Sequence, residues 1–132
     1  MDDTHHFKVR VYFEDTDFSG NVYHASYLKF FERGRTEWLR ARGIHHSKLA
    51  RDGLAFAVRK MEIGFEAAAG IDDELLVTTI VKTVSGARIL LEQHIMRDDL
   101  LLTKAEVMIV VMNEQGRATR LPKEVLAQFS IK

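Results

Sequence analysis

The sequence predicts an α+β fold in which one long helix lies against one face of an antiparallel sheet. Three observations predict it. From Tyr23 to Arg42, Tyr27, Phe30, Phe31, Gly34, Trp38 and Ala41 recur at helical spacing and mark a broad apolar face. Four later runs, 56–65, 75–84, 87–97 and 102–112, read as strands separated by short turns. Short turns force antiparallel pairing, because parallel neighbours need a long crossover.

Composition narrows the classes. The 132 residues fit one domain, residues 1–132. Apolar residues make up 46% and charged residues 29%, as in ordinary globular proteins. Lys plus Arg and Asp plus Glu are 19 each, so the basic excess of a nucleic-acid binder is missing. There are no cysteines, which excludes disulfides, thiolate nucleophiles and thiolate metal sites. The start, Met1 to His6, is acidic and polar and carries no signal-peptide pattern. No apolar run approaches the roughly 20 residues of a membrane-spanning helix. The expectation is a cytoplasmic protein with no transmembrane segment.

Taken in order, the alternation of Phe7, Val9, Val11 and Phe13 predicts a first strand over residues 7–14. The long helix follows from Tyr23 to Arg42, and Gly43 after Arg40 and Arg42 is a stop signal. Gly34 costs about 1 kcal/mol against Ala inside a helix, so it predicts a close backbone approach. His45 and His46 read as a turn; no third ligand completes a metal site at a recognisable spacing. Ser47 to Asp52 reads as a short second helix.

In the run 56–65 the large apolar residues are first even-numbered, Phe56 and Val58, and then odd-numbered, Met61, Ile63 and Phe65. A bulge at Arg59-Lys60 would return both halves to one face. Gly70 to Asp73, Ser85-Gly86, Asp98-Asp99 and Asn113 to Gly116 read as turns. The stretch Val107 to Met112 is wholly apolar, as in a strand buried on both faces. A short strand near Ala118–Leu121 precedes a C-terminal helix that Pro122 opens, with Val125, Leu126 and Phe129 as its apolar side. Strands of about ten residues exceed the common length, so the sheet should curl around the helix.

Between first strand and long helix stands Glu14-Asp15-Thr16-Asp17-Phe18-Ser19-Gly20-Asn21-Val22-Tyr23-His24. It gathers polar groups that serve no core. A helix start carries free N–H groups and partial positive charge, which polarise a carbonyl or hold an oxyanion. A carboxylate beside it can act as base or nucleophile. Asp15, Asp17 and Asn21 serve equally well to shape a turn and cap a helix, and both readings stay open. A calcium loop beginning at Asp15 is excluded, because Ser26 occupies the twelfth position where a glutamate is needed. The strand-Asp-x-Asp opening of haloacid-dehalogenase-type phosphatases is excluded by the lack of repeated parallel crossovers.

The segment VRVYFEDTDFSGNVYHASYLKFFERGRTEWLR resembles the opening of the hotdog-fold acyl-CoA thioesterases. It is similar to the 4-hydroxybenzoyl-CoA thioesterase family, and to its bacterial subgroup associated with the Tol-Pal envelope system. FAVRKMEI, IDDELLV, KAEVMIVVM and RLPKEV continue the resemblance over nearly the whole chain. It implies a hotdog fold, a long central helix wrapped by a curved antiparallel sheet. It implies Asp17 as the catalytic carboxylate, with Phe18 and Ser19 standing where the subgroup has small residues. A site shared between protomers of a homodimer, often paired again into a homotetramer, is implied as well.

No Ser-His-Asp arrangement is legible, so a carboxylate mechanism is the economical one. Asp17 would attack a thioester carbonyl or activate a water. The backbone N–H groups of Val22, Tyr23 and His24 would polarise the carbonyl oxygen. His24 would bind substrate or orient Asp17, against a purely structural hydrogen bond at a helix start. Arg59, Lys60, Arg88, Arg120 and Lys123 are candidates for the phosphates of coenzyme A, though each alone reads as an ordinary surface charge. No cofactor and no metal are expected, coenzyme A being part of the substrate. A short-chain or aromatic acyl-CoA is the expected substrate, and an acyl carrier protein ester stays open. The alternative is a non-catalytic acyl-binding or scaffold module of the envelope system.

Overall fold

The computed structural model describes residues 3–129. Chain order is β1 (His5–Arg10), a single 3₁₀ turn (Phe13–Asp15), α1 (Ser26–Ala41), α2 (His46–Arg51), β2 (Ala55–Phe65), β3 (Glu74–Val84), β4 (Arg88–Arg97), β5 (Leu100–Met112), β6 (Ala118–Thr119) and α3 (Lys123–Ala127). The strands form one antiparallel sheet in the order β1-β3-β4-β5-β2, with β6 paired to the end of β5. One long helix lies across this sheet. This is the α+β hotdog architecture expected from the sequence.

The helix packs as its spacing requires. Tyr27, Phe30, Phe31, Trp38 and Leu39 are buried against Val77, Leu91 and their neighbours on the inner face of the sheet. Gly34 marks the close approach. A Cβ there would stand 2.6 Å from Val77 Cγ1, well inside contact distance. Beside it, Gln93 is wholly buried. Its amide nitrogen donates to the Phe31 carbonyl (3.1 Å) and to Thr79 Oγ1 (2.9 Å), and its oxygen accepts from Arg35 Nη1 (3.0 Å). One buried amide thus ties α1, β3 and β4 together. At the far end Phe129 stacks on Trp38 (5.1 Å between centroids), and the Arg42 guanidinium lies over both rings.

The parity switch in β2 is a bulge. Val58 pairs with Ile109 and Lys60 with Met108, leaving Arg59 as the extra residue. Two further register shifts have the same effect. Lys82 is extra in β3 and Leu102 in β5. On the outer face Glu92, Glu106 and Glu62 stand opposite one another across three strands, a like-charge row that costs stability. Bulged Lys82 offsets it, with Nζ 2.7 Å from Glu106 and 3.7 Å from Glu92.

Two boundaries differ from the sequence reading by more than two residues. The first strand is His5–Arg10, not 7–14. The chain folds into the 3₁₀ turn after Tyr12, and the Asp15 carboxylate accepts the Tyr12 N–H at 2.8 Å. The long helix begins at Ser26, not Tyr23. The Val22 N–H donates to the Ala69 carbonyl (2.8 Å) and the Tyr23 N–H to the Asp15 carbonyl (2.9 Å), so the backbone stays bridged to its neighbours until Tyr23. A first turn from Tyr23 to Ser26 (Ser26 N–H to Tyr23 carbonyl, 2.8 Å) then leads into α1.

Candidate active site

The loop before α1 is a small pinned hairpin. Bridges join Thr16 to Val22 and Asn21 to Gly70. The Asp17 N–H donates to the Asn21 carbonyl and the Gly20 N–H to the Asp17 carbonyl, both at 3.0 Å. Gly20 has φ +86°, a conformation that residues with a side chain rarely adopt. A second layer holds the hairpin. The Tyr27 hydroxyl accepts the Ala69 N–H at 3.0 Å, and Asp73 accepts from the Gly70 N–H (2.9 Å) and from Arg97 (2.9 Å). Burial raises the Tyr27 hydroxyl pKa above its ordinary value, so it stays protonated.

The two aspartates now separate. Asp15 is buried and spends its carboxylate on the Tyr12 N–H, which makes it a turn former. Asp17 is exposed. Its Oδ1 accepts both the Ser19 hydroxyl and the Ser19 N–H (2.9 Å), while no chain group donates to Oδ2 among the described residues. The Ser19 hydroxyl, then its N–H, hold the Asp17 carboxyl below the usual carboxylate range, with a smaller through-space effect of His24. Asp17 is therefore a charged carboxylate at neutral pH.

The backbone donors also sort themselves. The expectation that Val22, Tyr23 and His24 all offer free N–H groups is corrected for the first two, whose N–H groups are consumed inside the fold. Among the described residues, the free N–H groups at this turn are those of His24 and Ala25. The His24 ring lies 4.7 Å from Tyr23 and meets the edge of Phe65 at 6.2 Å; Phe65 in turn lies 5.7 Å from Tyr27. Large aromatic side chains stay exposed around the loop: Phe18 fully, Phe13 by 80% and Tyr12 by 62%.

A family model described as the thioesterase-like superfamily matches residues 11–129. The chain belongs to that superfamily. The acyl-CoA thioesterase YbgC of Haemophilus influenzae is 46% identical over 131 residues, covering 98% of this chain and 96% of that protein. The acyl-CoA thioester hydrolase YbgC of Escherichia coli O6:H1 is 42% identical, covering 92% of each. A crystal structure of a probable thioesterase from Bartonella henselae superposes with a TM-score of 0.87 at 48% identity, covering 90% of this chain and 99% of that one. The protein is thus an enzyme, a thioesterase.

In this thioesterase the structure gathers part of the expected site. Asp17, Val22, Tyr23 and His24 share one loop. The basic candidates lie elsewhere in the chain. Phe65 marks the end of β2 nearest His24. Lys60 and Arg59 are five and six residues back along that strand, roughly 17–20 Å at about 3.3 Å per residue. Arg88 is farther still, because it pairs with Val110, which pairs with Ala57. Arg120 lies over the backbone at Gly86, and Lys123 opens α3.

Sequence reasoning missed Ser19 as the partner of Asp17, and Phe65 and Tyr27 as the wall beside His24. Phe65 was visible only as the last apolar residue of a strand. No helix among the described residues is long and apolar enough to cross a membrane.

Proposed function

We propose that this thioesterase hydrolyses an acyl-CoA thioester to the free acid and coenzyme A, with Asp17 as the essential carboxylate. One observation carries the reading. An ionised carboxylate with a free oxygen stands on the loop that presents the free N–H groups of His24 and Ala25. Asp17 either attacks the thioester carbonyl, expelling the coenzyme A thiolate and leaving a mixed anhydride that water then hydrolyses to the acid and free Asp17, or takes a proton from the attacking water. Thiolates leave readily, so no strong acid is needed. The His24 and Ala25 N–H groups stabilise the oxyanion. The relatives named for acyl-CoA thioesters support the substrate class.

The substrate is a short-chain or aromatic acyl-CoA, as in the 4-hydroxybenzoyl-CoA family, and the cellular setting is the cytoplasmic side of the Tol-Pal envelope system. The working form is a homodimer or homotetramer. The exposed rings around Asp17 and the unpaired edge of β2 support a partner copy. Two-fold pairing of β2 edges would run the strands antiparallel and set the partner's Ala55 end of β2 beside this chain's Phe65 end.

Thiol release from a panel of acyl-CoA and acyl carrier protein esters tests the reading. The chain has no cysteine, so a thiol reagent sees only product. Turnover on a CoA ester, lost in Asp17→Asn, is expected, together with elution larger than a monomer. Release from carrier-protein esters alone would move the substrate class. No release from any ester would favour the binding-module alternative.

A further inference from the structure

We propose that Ser19 is a positioning residue, whose hydroxyl and N–H clamp Oδ1 of Asp17 so that Oδ2 alone faces the thioester. The proposal rests on the reading that Asp17 performs the reaction. Asp17 is exposed on a loop, and no packing fixes its side chain. An unheld carboxylate there would rotate among staggered wells and present either oxygen. Two donors from one residue, both directed at Oδ1, remove that freedom.

The hydroxyl is itself oriented. Ser19 Oγ accepts the Asn21 N–H at 3.3 Å while its own proton goes to Asp17. A relay therefore runs from the Asn21 backbone through Ser19 to the carboxylate. The Asn21 carbonyl in turn receives the Asp17 N–H at 3.0 Å, which closes the ring of contacts. Ser19 is not the acyl acceptor in this arrangement. Its proton is spent on the Oδ1 that it holds in place, and the hydroxyl oxygen is already engaged by the Asn21 N–H.

The neighbouring charges leave this pair distinct. His24 acts on Asp17 through space. Asp15 is turned to Tyr12, and Asp73, across the Asn21–Gly70 bridge, is held by Arg97 and the Gly70 N–H. Glu14 is exposed on the 3₁₀ turn. Ser19 is thus the side chain that both aims Asp17 and favours its charged form.

Ser19→Ala and Ser19→Thr test this in the full chain. Two quantities are read: steady-state turnover on the best acyl-CoA of the panel, and the titration midpoint of the Asp17 carboxyl carbon by NMR. The Ala variant should lower kcat about tenfold, the scale of one lost charge-assisted hydrogen bond, with KM held within about twofold. Its midpoint should rise toward that of an ordinary carboxylate, so that activity is lost from the acid side at higher pH than in wild type. The Thr variant keeps the hydroxyl and should keep both values. An unmoved midpoint, an unchanged kcat, or a loss carried by KM alone would each overturn the proposal. Full turnover in Asp17→Asn would instead remove the Asp17 reading, and the positioning role with it, whatever the titration shows.

Discussion

Two polar clusters flank α1, and the contrast between them separates scaffold from chemistry. Gln93, beneath the helix, is wholly buried and bonded to groups from α1 and β3. The Asp17 carboxylate, before the helix, is exposed and, among the described residues, accepts only from Ser19 two positions away, with one oxygen left over. A buried amide must be satisfied, because leaving it unpaired costs the desolvation of each group. An exposed carboxylate has no such need. The first cluster therefore spends its hydrogen-bonding capacity on folding, and the second keeps part of it for a substrate.

The largest stability effect is expected where the buried cluster is broken. Gln93→Leu removes three hydrogen bonds and leaves the Arg35 guanidinium without its amide partner, a loss of about 2–4 kcal/mol. Urea unfolding would read it as a lower midpoint at unchanged slope, while turnover per folded molecule stays near wild type. Loss of turnover in the folded fraction would mean that the two clusters are coupled.

A smaller effect is expected from Gly34→Ala. The new methyl gains about 1 kcal/mol of helix propensity but meets Val77, and overpacking of this kind costs about 1–3 kcal/mol. Net destabilisation of roughly 1 kcal/mol should be partly relieved by adding Val77→Ala, measured as a coupling in a double-mutant cycle. Additive single effects would show that the close approach is not the cause.

Tyr27→Phe sharpens the comparison from between the clusters. Tyr27 belongs to α1, yet its hydroxyl secures Ala69, whose carbonyl holds the Val22 N–H. Deleting the hydroxyl should cost only about 1 kcal/mol, with a fall in kcat larger than that loss of stability explains. A wild-type kcat would show that the Asp17 loop is held without it.

Several of these features were legible in the amino-acid order. Arg59 revealed its bulge because the apolar residues change parity around it. Gly34 announced close packing because nothing else favours glycine inside a helix. Lys82 and Leu102 concealed theirs. The only apolar residue after the β3 switch is Val84, and only Leu100 and Leu101 precede Leu102 in β5, so neither run offers a parity to read. The start of α1 was misplaced because the groups that delay it, the Ala69 and Asp15 carbonyls, meet Val22 and Tyr23 only in the folded chain. The same long-range bonds removed two of the three expected backbone donors. Asp17 stood out through the resemblance of its loop. Ser19 did not, because its role depends on the direction of a hydroxyl.

Asp17→Asn offers the most direct measurement. The amide oxygen can keep the Ser19 contacts while the charge is removed. Melting temperature and thiol release should be taken from one sample. The account predicts only a slight fall in melting temperature near neutral pH, because the amide accepts the Ser19 bonds more weakly than the carboxylate, with kcat/KM lower by at least about a hundredfold. Wild-type turnover, or a loss that follows a large fall in melting temperature, would contradict it.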